Sequence, residues 1–171
     1  PGGALPVGDA NRVAADADIQ PVVDGLRRAQ PELVVNLTES FAGVSSLDSN
    51  VAALLNLMDL RYTGSSPSGL ILAGDKTLSK KVFSFHGIRT PAFGAVDRRA
   101  VDWAGGISFR VIVKPPQEDA SIGITSASVV TDLQGLFARI DDIQTEFQQP
   151  VLVEEFVDGR EFYVGVLGNA S

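Results

Sequence analysis

Apolar residues recur along this chain at helical spacing in some stretches and in short strand-like runs in others. Ile19, Val22, Val23, Leu26 and Ala29 fall on one stripe of a helix, with Pro21 in its first turn, where a missing N–H does no harm. Leu33–Leu37 is a continuous apolar run after Pro31, as in a strand covered on both faces. Leu47, Val51, Leu54, Leu55 and Met58 make a second helical stripe, and Ser45 with Asp48 ahead of it resembles a capping box. Arg61-Tyr62-Thr63 then leads into Gly64-Ser65-Ser66-Pro67, a turn and linker cluster. Residues 19–63 thus read helix, strand, helix, strand, the cadence of a parallel α/β layer.

From Asp75 the pattern changes. Asp75 is an expected N-cap, and Leu78, Val82 and Phe85 form the expected buried stripe of a helix ending at Gly87, with Pro91 beyond. Ala92–Val96 reads as a strand and Asp97–Ser108 as a polar, glycine-bearing loop. Arg110–Lys114 is a strand stopped by Pro115-Pro116, and Ile122–Val130 alternates as a second strand would. Leu133, Leu136, Phe137, Ile140 and Phe147 mark a helix, Val151–Val157 a strand, and Glu161–Gly168 a further strand. This order suggests an antiparallel sheet with helices on one side. The expected boundary between lobes lies near Gly64–Pro67, and there are no internal repeats or low-complexity tracts.

Composition removes several function classes. The chain has 171 residues, with 14 Lys+Arg against 21 Asp+Glu and a formal charge of −7. A surface that acidic repels phosphate backbones, which argues against nucleic acid or an anionic membrane as the main partner. There are no cysteines, so disulfides, Cys metal sites and Cys nucleophiles are excluded. His86 is the single histidine, which leaves little for a Ser-His-Asp triad or a multi-His zinc site. No apolar run is long enough to span a bilayer and the first residues lack signal-peptide shape, so a soluble, cytosolic α/β protein is expected. The chain starts at Pro1 with a loose Pro-Gly-Gly-Ala lead-in and stops just after a strand-like segment. A piece of a longer protein is the expected reading of those ends.

Charged residues inside apolar strands are the candidates for chemistry. Lys114 shares a strand face with Ile112, while Val111 and Val113 share the other. Its ammonium needs water or an anion, so it either snorkels at the strand end or serves a site. Alternation puts Glu154 beside Leu152 and Phe156, and Glu155 beside Val153 and Val157. One carboxylate therefore points to a buried face, unless the strand lies at a sheet edge, where acidic residues oppose aggregation. Lys76 opens the Asp75 helix off its apolar stripe and reads alone as a surface lysine, as do Lys80 and Lys81. His86, beside Phe85, reads as a surface or helix-end residue. The Gln117–Ser121 segment could cradle phosphate through backbone N–H groups, with Gly123 its one nearby glycine.

In order, Asp75-Lys76, Val113-Lys114-Pro115, Glu118 to Gly123, Glu154-Glu155-Phe156-Val157 and Glu161 resemble an ATP-grasp enzyme of the D-alanine–D-alanine ligase branch. Tyr62-Thr63-Gly64-Ser65, Gly87-Ile88-Arg89-Thr90-Pro91 and Gly159-Arg160-Glu161-Phe162 extend the resemblance from about Val34 to Gly168. It implies an α/β (α+β) fold: a partial Rossmann-like lobe over residues 1–65 and a small antiparallel ATP-binding lobe over 66–150. Residues 151–171 would be a hinge strand and the first strand of a large C-terminal lobe. The implied roles are phosphate binding by Lys76 and Lys114, and a flexible phosphate loop over Gln117–Gly123 using Glu118 and Ser121. Adenine would be read by Glu154, Glu155 and the Val157 backbone, and the ribose hydroxyls by Glu161. Phe156 would pack near the base. The implied cofactors are ATP and Mg²⁺, with the metal ligands expected beyond Ser171. The implied partners are small carboxylate and amine substrates, with a homodimer compatible.

The implied chemistry is phosphoryl transfer to a carboxylate followed by amine attack on the acyl phosphate. Such transfer depends on positioning and charge neutralisation. Departures from the family's pattern motivate two other readings. Asp119 and Ala120 stand where the family's loop carries glycine and serine. Asn36–Ser40 and Val44–Asn50 stand in place of a His-Gly and a Gly-Glu-Asp-Gly stretch. A non-catalytic nucleotide-binding or regulatory module on the same scaffold is one alternative, and a structural or interaction domain the other.

Overall fold

The computed structural model describes residues 17–97, 100–104, 106, 108–118, 121–166 and 168. Its contacts group into two units, Pro1–Val82 with Pro116–Ala120 and Phe83–Pro115 with Ser121–Ser171. The lead-in at Pro1, and Asp119 and Ala120, lie outside the described residues.

The first unit is helical. Helix α1, Ile19–Ala29, starts where Asp18 accepts the Gln20 N–H and ends on a left-handed Gln30. Val22 and Leu26 of α1 meet Leu55 of α2, Asp48–Leu57, in a small core edged by Val34, Leu54, Met58, Leu60 and Tyr62. The expected strand at 33–37 shrinks to one parallel bridge, Val34 to Tyr62. Val34 donates to the Arg61 carbonyl (2.8 Å) and Thr63 to the Val34 carbonyl (3.0 Å). The run is not covered on both faces: Leu33, Val35 and Leu37 are exposed, and only Val34 turns to the core.

Three further expectations change. Ser45 opens a short 3₁₀ turn, Ser45–Leu47, instead of a capping box. That turn runs straight into α2, so carbonyls of the preceding backbone accept the Leu47 and Asp48 N–H groups that a side chain would otherwise cap. The Gly64–Pro67 cluster is also a helix start. Ser66 accepts the Gly69 N–H at 3.3 Å and Pro67 occupies the first turn of α3, Pro67–Gly74. Helix α4, Lys76–Phe85, is capped as expected by Asp75, which accepts the Leu78 N–H at 2.9 Å. Its expected stripe is wrong. Leu78 and Phe85 are exposed, Val82 is half-buried, and Lys80 is the buried residue. Gly87, at φ +68°, ends the helical run.

The second unit is an antiparallel sheet with one helix against it. Strands β1 (Phe93–Asp97), β2 (Ala100–Ala104), β3 (Val111–Lys114), β4 (Val129–Val130) and β5 (Val151–Glu155) take the order β2-β1-β5-β3-β4. Helix α5, Leu133–Phe147, begins at Asp132, which accepts the Gly135 N–H at 2.8 Å. Leu136, Ile140 and Ile143 pack on Val111, Val113, Val130, Val151 and Val153 to form the main core. The predicted in-out pattern of β3 holds, with Val111 and Val113 buried and Ile112 and Lys114 half-buried.

Three segments here differ from expectation. Within the expected loop at 97–108, Ala100–Ala104 form β2, which pairs along the whole of β1. Backbone pairing satisfies the β1 edge whatever the polarity of the partner's side chains. The expected strand at 122–130 survives only as β4. Before it, Ile124 N–H closes a turn onto the Ser121 carbonyl (3.0 Å), and Thr125 and Ser128 cap a 3₁₀ turn reciprocally. The expected strand at 161–168 pairs with nothing among the described residues, and Phe162, Tyr163, Val164 and Val166 are exposed.

Candidate functional site

Lys114 and Glu154 form an ion pair on the sheet face turned away from α5. Register explains the meeting. Lys114 is opposite Leu152 and Ile112 opposite Glu154, so the two charges are diagonal neighbours on adjacent strands. Phe93 flanks Glu154 from the other side. The Glu154 side chain is 7% exposed and that of Lys114 19%. A carboxylate so deeply buried requires its cation, while the lysine, at the strand end before Pro115-Pro116, retains access to solvent. Its ammonium has three donors and can serve a second anion without leaving the first.

Past β5 the backbone leaves the ladder in steps. Glu155 N–H donates to the Ala92 carbonyl (2.8 Å) and Phe156 N–H to the Arg110 carbonyl (3.0 Å). The Arg110 guanidinium lies 4.6 Å from the Phe156 ring centre and pairs with Asp158 at 3.3 Å. These contacts fix the direction of the segment carrying Val157. The Glu155, Val157 and Glu161 side chains are exposed, and none of them joins the Lys114–Glu154 pair. The segment offers backbone and an aromatic face, a donor set suited to a planar heterocycle.

In the first unit, Lys76 N–H donates to the Pro116 carbonyl at 3.0 Å, and its ammonium is held by the Glu118 carbonyl. Gln117 reaches Asp75 at 3.4 Å. Lys76 is therefore tied to Pro116 and Glu118, at the start of the Gln117–Gly123 segment expected to bind phosphate. The Glu118 contribution here is its carbonyl. A cleft of about 310 Å³ lies beside this corner, with Glu39, Asp48 and Asp75 on its lining together with Leu70, Ile71 and Leu78. Three carboxylates around so small a space repel a polyphosphate. His86 is exposed and stacks edge-on against Phe85, which leaves it as a helix-end residue.

Ser121 sits at φ +62° in the turn that Ile124 closes. Beside it, the packing role of Gly123 and the presence of Arg139 escaped the sequence reading. Gly123, at φ +71°, is so close to Pro115 and Phe147 that a Cβ would lie 2.8 Å from Pro115 Cγ. Arg139 on α5 is buried and donates to the Gly123 carbonyl at 2.5 Å. The available signal for Arg139 was its position, since it falls between Leu136 and Ile143 on the apolar stripe of α5.

Residues 82–171 match the family model described as D-ala D-ala ligase C-terminus. An uncharacterised protein, y4sG, of Sinorhizobium fredii is 38% identical over 137 residues, covering 80% of this chain and 39% of that protein. A D-alanine–D-alanine ligase of Bordetella petrii is 36% identical over 126 residues, covering 72% and 37%. The chain thus spans about two fifths of the length of these relatives. Among solved structures, the D-alanine–D-alanine ligase of Helicobacter pylori superimposes with a TM-score of 0.57 at 26% identity, over 74% of this chain and 39% of that one. The Bacillus anthracis enzyme complexed with ATP shares the fold at a TM-score of 0.58 and 21% identity, over 80% and 45%.

Proposed function

Because the chain belongs to the D-alanine–D-alanine ligase family of ATP-grasp proteins, we propose that its parent protein is an ATP-dependent carboxylate–amine ligase. In this reaction class a phosphoryl group passes from ATP to a carboxylate, and an amine then displaces phosphate from the acyl phosphate to form a C–N bond. The observation that carries the reading is Lys114, a half-buried cation on a sheet face, ion-paired with the buried Glu154. In the proposed site Lys114 neutralises the polyphosphate, and Glu154 fixes where its ammonium points.

Lys76 is the second phosphate ligand in this reading, joined to the loop by the Glu118 carbonyl. Ser121 supplies a hydroxyl, Glu155 and the Val157 backbone border the adenine, Phe156 packs against its ring, and Glu161 accepts from the ribose. Among the described residues no three His, Asp or Glu side chains come together to hold a metal ion, so no Mg²⁺ ligand is assigned to them. In this reading little or no phosphate release is expected from these 171 residues alone. The proposed lobes are 1–65, 66–150 and 151–171, and a homodimer fits the same proposal. No helix among the described residues is long and apolar enough to cross a membrane.

Calorimetric titration of the full-length protein with Mg·ATP tests the reading. Lys114→Ala is expected to weaken binding by roughly tenfold or more, the loss of a charge-assisted contact. Unchanged affinity and turnover in Lys114→Ala would remove it. Asp119 and Ala120 in the phosphate loop favour a second reading, a nucleotide-binding module without catalysis. That reading keeps Mg·ATP binding and abolishes phosphate release in the full-length protein.

A further inference from the structure

We propose that Arg139 is a positioning residue for the phosphate loop, acting through the Gly123 carbonyl; this rests on the nucleotide reading above. Arg139 is 8% exposed, an unusual place for a guanidinium on a helix whose neighbouring positions are Leu136, Ile140 and Ile143. Surface pairing does not account for it. Its carboxylate contact, Asp142, lies one turn along the same helix at 3.8 Å and is itself 66% exposed. The short bond is the one to Gly123, and Arg139 Nε has no hydrogen-bond partner among the described residues. A buried arginine with an unsatisfied donor is costly, and that cost is offset by what it holds.

What it holds is the exit of the loop. Ser121 and Gly123 both take positive φ, and Ile124 N–H ties the turn back to Ser121. On one side of Gly123 stand Pro115, next to Lys114, and the Phe147 ring. On the other, its carbonyl is taken by Arg139. The turn is thus bonded to α5 and packed against Pro115, the residue after β3, and Ser121 is displayed from a fixed post. With the Ser121 and Gly123 carbonyls taken, backbone N–H groups and the Ser121 hydroxyl are left as donors for an anion.

The full-length protein and its Arg139→Met and Arg139→Lys variants separate positioning from general stability. Each is titrated with Mg·ATP and with adenosine, which has no phosphates. Mg·ATP affinity is expected to fall about tenfold in Arg139→Met and less in Arg139→Lys, with adenosine affinity unchanged. Should Arg139→Met fail to fold, Arg139→Lys alone carries the comparison. Equal losses for both ligands, or no loss for either, would overturn the assignment. Hydrogen exchange at the Ile124 amide is read in parallel without nucleotide. If the wild type binds neither ligand, the nucleotide reading fails. Faster Ile124 exchange in Arg139→Lys would still uphold the anchoring, and unchanged exchange would end it.

Discussion

The two units treat apolar side chains differently. In the sheet unit, Val113, Ile143, Val151, Leu152 and Val153 are fully buried, and α5 closes one face. In the helical unit the buried cluster is three residues, Val22, Leu26 and Leu55, while Leu33, Val35, Leu37 and Leu57 face outward. Five strands that pair with one another bring distant apolar residues together in register. One isolated bridge between Val34 and Tyr62 cannot. Strand pairing, more than local hydrophobicity, decides how much surface a segment buries.

The largest test of this contrast is electrostatic. Lys114→Met leaves the buried Glu154 without its counter-ion inside the sheet and is expected to cost about 3–4 kcal/mol in a urea titration. Replacing both partners, Lys114→Met with Glu154→Leu, is expected to recover most of that stability, since the penalty belongs to the orphaned charge. Next comes packing. Ile143→Ala is expected to cost about 3 kcal/mol, whereas Leu37→Ala should stay within ~0.5 kcal/mol. Equal losses at the two positions would erase the distinction between the units. The smallest test compares caps. Asp132→Ala, which opens the helix packed on the sheet, should cost about 1 kcal/mol by thermal unfolding. Asp18→Ala, at the exposed start of α1, should cost less.

Where a segment's neighbours lie within the same sheet or helix pair, its sequence was readable. Helices α1, α2 and α5 and strands β1, β3 and β5 follow from apolar spacing because each has one face in a core. The helix α3 was hidden because none of its residues is buried, and β2 because pairing with β1 needs no apolar pattern. On α4 the stripe failed because Lys80, not Leu78 or Phe85, is the residue turned inward. In the candidate site, Lys114 and Glu154 announced themselves as charges within apolar strands, yet only register showed that they meet. The importance of Gly123 rests on the approach of Pro115 and Phe147, which are distant in sequence or conformation-dependent and leave no local mark.

The strand order carries a consequence for how the sheet is made. β5 is the last strand among the described residues and the middle one in space, bonded to β1 on one side and β3 on the other. A ribosome delivers β1–β2 and β3–β4 first, and each is a hairpin-like pair with an open edge and no bridge to the other. Until residues 151–155 emerge, those edges are free to meet another nascent chain. Assembly of the sheet therefore waits for its keystone, the pairing of residues 151–155 with strands laid down long before them.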